Sequence, residues 1–144
     1  MVLLRKLSEI GAPREDMKII YMSYIRSVLE QSCVVWHTSL TLENKEDLTR
    51  VQKSSFRIIL KSKYTTYEKA LDMLDLDDLS VRRDKLCKSF AMKAVKNRSP
   101  HFKLDNNSYT MKLRNDKKYE VTHCNTERLK MSAIPQMQHM LNEH

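Results

Sequence analysis

Apolar residues recur every three or four positions along the first two thirds of the chain, which predicts amphipathic helices. The pattern is widest between Met17 and His37, where these steps place the apolar side chains on one side of a 3.6-residue helix. We expect one long helix from residue 14 to about Trp36, with a stripe that must pack against later helices. The stripe consists of Met17, Ile20, Tyr21, Tyr24, Ile25, Val28, Leu29, Val35 and Trp36.

The same period predicts a second long helix over the next twenty residues. Thr38 or Thr41 can cap its N-terminus, and Lys61 and Lys63 at its other end suit the helix dipole. Its expected buried side consists of Leu48, Val51, Gln52, Ser55, Phe56, Ile58 and Ile59.

A short helix and a third long helix follow. Thr65 and Glu68 have the spacing of a capping box, and Asp77 or Asp78 can cap the last long helix. Arg83 falls toward the apolar face of that helix, so we expect it to pair with a buried acid or with carbonyl groups. The expected apolar face consists of Leu79, Arg83, Leu86, Phe90 and Ala94, with Cys87 and Ala91 beside them.

The composition supports a helical fold. The 144 residues include one Gly and three Pro, whereas tight β-hairpins require Gly or Asn at positive φ. The pattern fades after residue 98, except for a short extended piece at residues 119–121 and a short C-terminal helix. We predict an all-α small helical bundle with an irregular, partly extended C-terminal tail. Its core should include Tyr21, Tyr24, Ile25, Val28, Trp36, Val51, Ile58, Leu71, Leu86 and Phe90.

Three segments are expected along the chain. Residues 1–12 are interpreted as a remnant linking segment, residues 13–98 as the helical domain, and residues 99–144 as the tail. No apolar run approaches the roughly 20 residues of a membrane span, and the N-terminus lacks the apolar core of a signal peptide. Three widely spaced cysteines do not form a disulfide framework. We therefore expect an intracellular protein of the cytoplasm or nucleus, without a membrane partner.

The sequence contains no recognisable catalytic constellation. One glycine cannot build a phosphate-binding loop, and neither G-x-S-x-G nor H-E-x-x-H occurs. Asp75, Asp77 and Asp78 fit helix capping better than a magnesium site. Cys33 and His37 lie one helical turn apart, but a zinc site needs paired ligand motifs, and nothing specific supports a Cys–His nucleophile. We expect no enzyme activity, metal, cofactor or small-molecule substrate.

Basic residues provide the most informative signal. The formal net charge is +8, and residues 82–98 contain seven Lys or Arg and one acid, Asp84. A row of cations on a rigid helix can follow a phosphate backbone, so nucleic acid is the expected partner. Tyr64 and Tyr67 could stack on bases or contact sugars. The alternative is a solvated helix face in a larger protein. The proposed phosphate contacts are Lys61, Lys63, Arg82, Lys85, Lys93 and Lys96.

The order and spacing of several of these segments resemble those of a known protein family. The chain looks like the C-terminal part of the reverse transcriptase of non-LTR retrotransposons (LINE-type elements) of the jockey-like kind, and the likeness extends over nearly its whole length. The C-terminal segment at residues 132–142 is also similar to the end of that family. The matching residues are Tyr21, Ile25, Arg26, Ser27, Leu29, Val35, Trp36, Leu48, Val51, Gln52, Tyr67, Ala70, Leu71, Leu74, Leu76, Arg82 and Arg83.

The resemblance implies a thumb and post-thumb region that follows a polymerase palm. Family thumbs are helical and grip the primer–template duplex, which agrees with the basic last helix. The palm's Tyr-x-Asp-Asp motif is absent from this sequence. We therefore expect a non-catalytic fragment that binds an RNA or DNA duplex through its phosphates. The alternative is a helical protein-interaction module that packs on a missing palm or on another chain, through residues 2–10 and the exposed side of the first long helix.

Overall fold

The protein is all-α, as predicted from the apolar period and the scarcity of glycine. The computed structural model describes residues 1–97 and 119–143, and in these ranges there is no β-sheet. No helix within them combines the length and the apolar character needed to cross a membrane. The described helices are α1 (Val2–Ile10), α2 (Arg14–Ile20), α3 (Ser27–Glu30), α4 (Cys33–Trp36), α5 (Leu42–Leu60), α6 (Tyr67–Leu74), α7 (Leu79–Lys96), α8 (Glu127–Lys130) and α9 (Ala133–Asn142).

The chain forms two compact units whose boundaries differ from the predicted segments. The first unit contains residues 1–31 and 41–82, and the second contains residues 32–40 together with the chain from residue 83 onward. Helix α1 belongs to the first unit, because it packs on α5 and α2 and its Leu4 is completely buried. Residues 1–12 are therefore part of a folded core rather than a separate linking segment.

The core of the first unit is built around aromatic rings on three helical segments. Tyr21 and Phe56 meet edge to face with 5.4 Å between ring centroids, and Tyr67 stacks on Phe56 at 6.1 Å. Leu4 and Met17 pack in the same cluster. The predicted core residues Ile25, Val51, Ile58 and Leu71 are half-buried. Thr41 caps α5 by accepting a hydrogen bond from the Asn44 N–H, which confirms one of the two predicted caps.

The predicted long helix over residues 14–36 is interrupted twice. A π-helical segment spans Tyr21–Arg26 between α2 and α3. The chain then breaks at Gln31 and Ser32, where Ser32 has the left-handed φ of 52°, before α4 begins. The prediction of one continuous helix was therefore wrong, although all the described residues around these interruptions remain helical or in turns.

Tyr24 and Val28 were wrongly predicted as core residues. The side chains of Tyr24 and Val28 are 66% and 67% exposed, whereas Ile25 and Leu29 are half-buried. The cause is the π-helical segment, whose i→i+5 hydrogen bonds add a residue to the turn. Of the two residues in each following turn that could face the core, the later one is therefore the more buried.

The second unit buries one side of α7 together with residues from α4 and α9. Ala91 and Met137 are among the buried residues, and Trp36 and Leu86 are half-buried. Phe90 was wrongly predicted as core, because it is 37% exposed. The buried side of α7 passes through positions 83, 87, 91 and 94, and residue 90 lies at the edge of this side, about 55° around the helix from its centre.

The C-terminal tail is ordered by side-chain amides in its described part. The Asn142 side chain accepts from the Tyr119 N–H at 2.9 Å and donates to the Tyr119 carbonyl at 3.0 Å, as a neighbouring strand would. Gln138 Oε1 accepts from the Thr122 N–H at 2.7 Å. Thr126 caps α8 by accepting a hydrogen bond from the Leu129 N–H. The predicted extended piece is thus tied to α9.

Candidate nucleic-acid interface

The start of α7 is fixed by a buried amide on α5. Gln52 Oε1 accepts from the Leu79 N–H, and Gln52 Nε2 donates to the Asp77 carbonyl, both at 3.2 Å. Asp78 caps the helix by accepting from the Ser80 N–H at 2.7 Å. Gln52 is 1% exposed, so these bonds form away from solvent. The first turn of α7 is therefore held in place by α5.

Tyr67 joins the same network. Its hydroxyl lies 2.7 Å from both Gln52 Oε1 and Asp78 Oδ2. Burial, and then the hydrogen bond to Asp78, raise the pKa of Tyr67 above its usual value, so the hydroxyl stays protonated and can donate. Burial also raises the pKa of Tyr21. The hydroxyl of Tyr67 is thus a structural group and is not available to a sugar.

Arg83 lies on the buried side of α7, as the sequence predicted. Its Nε donates to His37 Nδ1 at 3.2 Å, and His37 Nε2 lies 2.8 Å from Asp84 Oδ1. The guanidinium also lies over the Trp36 ring, 5.8 Å from its centroid. Its observed partner on Nε is thus an imidazole. With Nδ1 accepting from Arg83, the Nε2–H tautomer of His37 can donate to Asp84.

The opposite side of α7 carries exposed lysines. Lys85, Lys93 and Lys96 are exposed, and they lie across the helix from the buried positions of Arg83, Cys87, Ala91 and Ala94. All three belong to the second unit. A helix with one buried side and one cationic side has the arrangement needed for phosphate contacts, because its rigid backbone fixes the spacing of the charges.

Arg82 has surroundings that disfavour a phosphate ligand. Its Nε is hydrogen-bonded to Glu30 Oε1, and Arg26 Nε lies 3.8 Å from the same carboxylate. Arg82 also lines an open cleft of about 410 Å³ in the first unit. Three aspartates share that cleft and would repel a phosphate. The residues lining it are Arg26, Leu71, Asp72, Asp75, Leu76, Asp77 and Arg82.

The other predicted cations, Lys61 and Lys63, lie in a 3-10 turn directly after α5. Both are exposed, and Lys61 Nζ donates to the Ser8 carbonyl at 2.8 Å. Sequence reasoning missed two cations that precede them on the same helix. Lys53 lies four residues before Arg57, and Arg57 lies four residues before Lys61, a regular spacing that could have identified them.

Lys53 and Arg57 each lie over the ring of a tyrosine. Lys53 Nζ lies 5.0 Å from the Tyr67 ring centroid, and Arg57 Cζ lies 5.4 Å from the Tyr64 ring centroid. Cation–π contacts of this kind hold the charge near the ring face. The two tyrosines predicted to stack on bases thus already contact cations of the protein.

The groups considered for catalysis or metal binding do not form a reactive site in the described residues. Both ring nitrogens of His37 are hydrogen-bonded to α7, and Cys33 is buried, so the Cys33–His37 nucleophile hypothesis gains no support. Burial raises the pKa of Cys87 to about 12, and Cys124 is the one cysteine that is partly exposed. Across residues 1–97 and 119–143, no three His, Cys, Asp or Glu side chains cluster to hold a metal ion.

Comparisons with protein-family models, with curated proteins and with solved structures found no match to this chain.

Proposed function

We propose that the chain is a thumb-like, non-catalytic region of a retroelement reverse transcriptase that binds the phosphate backbone of a primer–template duplex. The observation that supports this most strongly is the exposed lysine side of α7, formed by Lys85, Lys93 and Lys96. The order and spacing of the segments that resemble the family support an origin in a retroelement reverse transcriptase. The net charge of +8 supports a polyanionic partner.

Binding of this kind depends on charge and not on base sequence. Phosphate contacts position a protein on nucleic acid and release counterions, so affinity falls steeply with salt. Three lysines give few contacts, and we expect a dissociation constant in the micromolar range or weaker, as for other non-specific binders. Arg82 is not part of this surface, because Glu30 already neutralises it.

The test is a filter-binding or anisotropy titration of RNA and DNA duplexes at two salt concentrations. The triple variant Lys85→Gln, Lys93→Gln and Lys96→Gln should bind at least tenfold more weakly at low salt and lower the salt slope by about three. Equal and negligible retention of both nucleic acids by the unmodified protein at low salt would refute the proposal.

A second function, docking to another protein, is favoured by exposed apolar residues on α2, the π-helical segment and α3. Ile19, Tyr24 and Val28 are all more than half exposed. Ser23 lies between them and donates its hydroxyl to the Ile19 carbonyl, so this polar group would cost little to desolvate. Exposed apolar patches of this kind mark interaction sites.

This alternative makes its own prediction. The unmodified protein should self-associate in sedimentation experiments or bind a dye for exposed apolar surface, and the double variant Tyr24→Ser and Val28→Ser should reduce either signal. A clean monomer that binds no dye would count against docking.

A further inference from the structure

The second half of α5 carries a row of cations that the family resemblance does not explain. From Leu48 to Tyr67 the sequence contains five basic residues and no acid. The one nearest the N-terminus, Arg50, pairs with Asp47 at 2.7 Å. The other four are defined here as the α5 stripe: Lys53, Arg57, Lys61 and Lys63.

The α5 stripe runs along the C-terminal half of α5 and into the turn after it. Lys53 and Arg57 lie four residues apart on α5, which puts them on one side of the helix about 6 Å apart, and Lys61 follows directly after the helix ends at Leu60. Lys63 extends the row into the 3-10 turn after α5. Arg57, Lys61 and Lys63 are exposed, and Lys53 is partly exposed. All four belong to the first unit, so the row does not depend on α7 residues of the second unit.

Three of these cations are already held in position. Lys53 and Arg57 rest on tyrosine rings, and Lys61 is hydrogen-bonded to the backbone of Ser8. Ordering a long side chain on binding costs about 0.5–1.5 kcal/mol, and a side chain that is ordered beforehand avoids part of that cost. The α5 stripe is therefore preorganised for an extended row of negative charges.

The tyrosine rings beneath Lys53 and Arg57 limit which parts of a nucleic acid the α5 stripe can contact. The Tyr67 ring contacts Lys53 and stacks on Phe56, and Arg57 lies over Tyr64. Proteins that stack bases need an aromatic face open to the nucleotide. Here the rings support cations, so the chemistry available to a ligand is charge and hydrogen-bond donors.

We propose that the α5 stripe is a second phosphate-backbone binding surface, independent of the α7 lysines, which contacts nucleic acid through charge and without base stacking. This inference rests on the proposed function, because it assumes a nucleic-acid partner. It adds Lys53 and Arg57 to the expected contacts, and it assigns Tyr64 and Tyr67 a supporting role.

The first experiment compares two triple variants of equal charge change. Lys53→Gln, Arg57→Gln and Lys63→Gln should weaken binding of a 20-nucleotide oligo(dT) at least tenfold at low salt and lower the salt slope by about two. The control Lys6→Gln, Arg14→Gln and Lys45→Gln removes the same residue types elsewhere in the first unit and should change affinity less than threefold. Equal losses in both variants would overturn the proposal, because net charge alone would then explain binding.

The second experiment tests whether the α5 stripe binds without base stacking. It uses the triple variant Lys85→Gln, Lys93→Gln and Lys96→Gln, so that the α7 lysines do not contribute. An oligonucleotide of abasic sites should bind within about twofold of oligo(dT). A tenfold or larger loss would overturn the charge-only mechanism, because stacking contributes about 1–3 kcal/mol per base.

A conservative variant separates loss of contact from loss of fold. Arg57→Lys keeps the charge and should retain affinity within about twofold, while circular dichroism and thermal melts should match those of the unmodified protein. The α5 and α7 triple variants, each compared with the unmodified protein, also separate the two proposals. Loss of binding in both variants supports both surfaces. Loss only in the α7 variant overturns the α5 stripe alone, loss only in the α5 variant overturns the α7 assignment alone, and no binding by the unmodified protein overturns both.

Discussion

Helix α7 keeps one hydrogen-bonding pattern over 18 residues, whereas the stretch from α2 to α3 changes pattern twice within a similar length. Both regions are amphipathic, and both bury a large side chain, Arg83 in α7 and Tyr21 in the π-helical segment. In α7 the buried positions recur at regular helical steps. Around Tyr21 they do not, and Ile25 and Leu29 are half-buried while Tyr24 and Val28 are exposed.

The difference shows what apolar spacing alone leaves undecided. When a helical stretch has more apolar residues than one side can bury, the average period does not tell which of them are buried. Either Tyr24 or Ile25 satisfies a spacing of three or four from Tyr21, and only the hydrogen-bonding pattern decides between them. The π-helical segment selects the later residue in each turn. It thereby leaves an aromatic and a valine exposed on the other side of α2–α3.

The largest expected effect is the difference in stability between the alanine variants of Tyr21 and Tyr24. Tyr21→Ala should lower the free energy of unfolding by about 3–5 kcal/mol, because the ring is completely buried against Phe56. Tyr24→Ala should cost less than about 0.5 kcal/mol, because its ring is mostly exposed. Urea unfolding followed by circular dichroism measures both. Similar costs would show that the π-helical register is wrong.

The next comparison uses two neighbouring arginines of α7. Arg83→Met should destabilise the protein by about 2–4 kcal/mol, since it leaves His37 Nδ1 buried without its donor. Arg82→Met should cost about 1 kcal/mol or less, because its ion pair with Glu30 is partly exposed. Chemical unfolding of both variants gives the ranking. A larger cost for Arg82 would contradict the assignment of the buried side.

Alkaline pH should test the tyrosine network of the first unit. Burial raises the pKa of Tyr21 and of Tyr67 above 10.0, so folding favours the neutral hydroxyls. Their contribution to stability is complete well below pH 10 and is lost as the pH rises above about 10. The free energy of unfolding should therefore fall between pH 9.5 and 11. Tyr67→Phe should make that decline shallower, because it removes one of the two hydroxyls whose pKa is raised.

The smallest expected effect concerns the break before α4. Ser32 has a left-handed φ, which costs a residue with a Cβ about 1–2 kcal/mol, and glycine avoids this cost while losing about 0.5–1 kcal/mol in entropy. Ser32→Gly should therefore stabilise the protein by about 0.5 kcal/mol. Ser27→Gly, inside α3, should instead destabilise it by about 0.5 kcal/mol. A thermal melt distinguishes the two signs, and destabilisation by Ser32→Gly would contradict the observed backbone.

Sequence reasoning predicted what depends on local chemistry. The helical class, the Thr41 and Asp78 caps and the buried Arg83 all follow from residues within a turn or two of one another. Thr66 rather than Thr65 caps α6, an error of one residue. The two-unit arrangement was not predictable in this way, because it depends on which distant segments pack together.

The candidate site was predicted less completely than the fold. The exposed lysines of α7 were found because they follow a visible run of charge. Arg82 was misleading, since its partner Glu30 is 52 residues away in the sequence. Lys53 and Arg57 were missed although their four-residue spacing continues to Lys61, because the tyrosine rings that hold them, such as Tyr64 beneath Arg57, are seen only in the folded chain.

The unequal burial of the three cysteines offers an experimental handle. Cys33 and Cys87 are buried and Cys124 is partly exposed. A maleimide dye at neutral pH should therefore attach at one position of the folded, unsubstituted protein and at three positions after denaturation. The native sequence thus allows a fluorescent dye to be attached at one site of the second unit, Cys124. The rate at which Cys33 and Cys87 become labelled would report how often that unit opens.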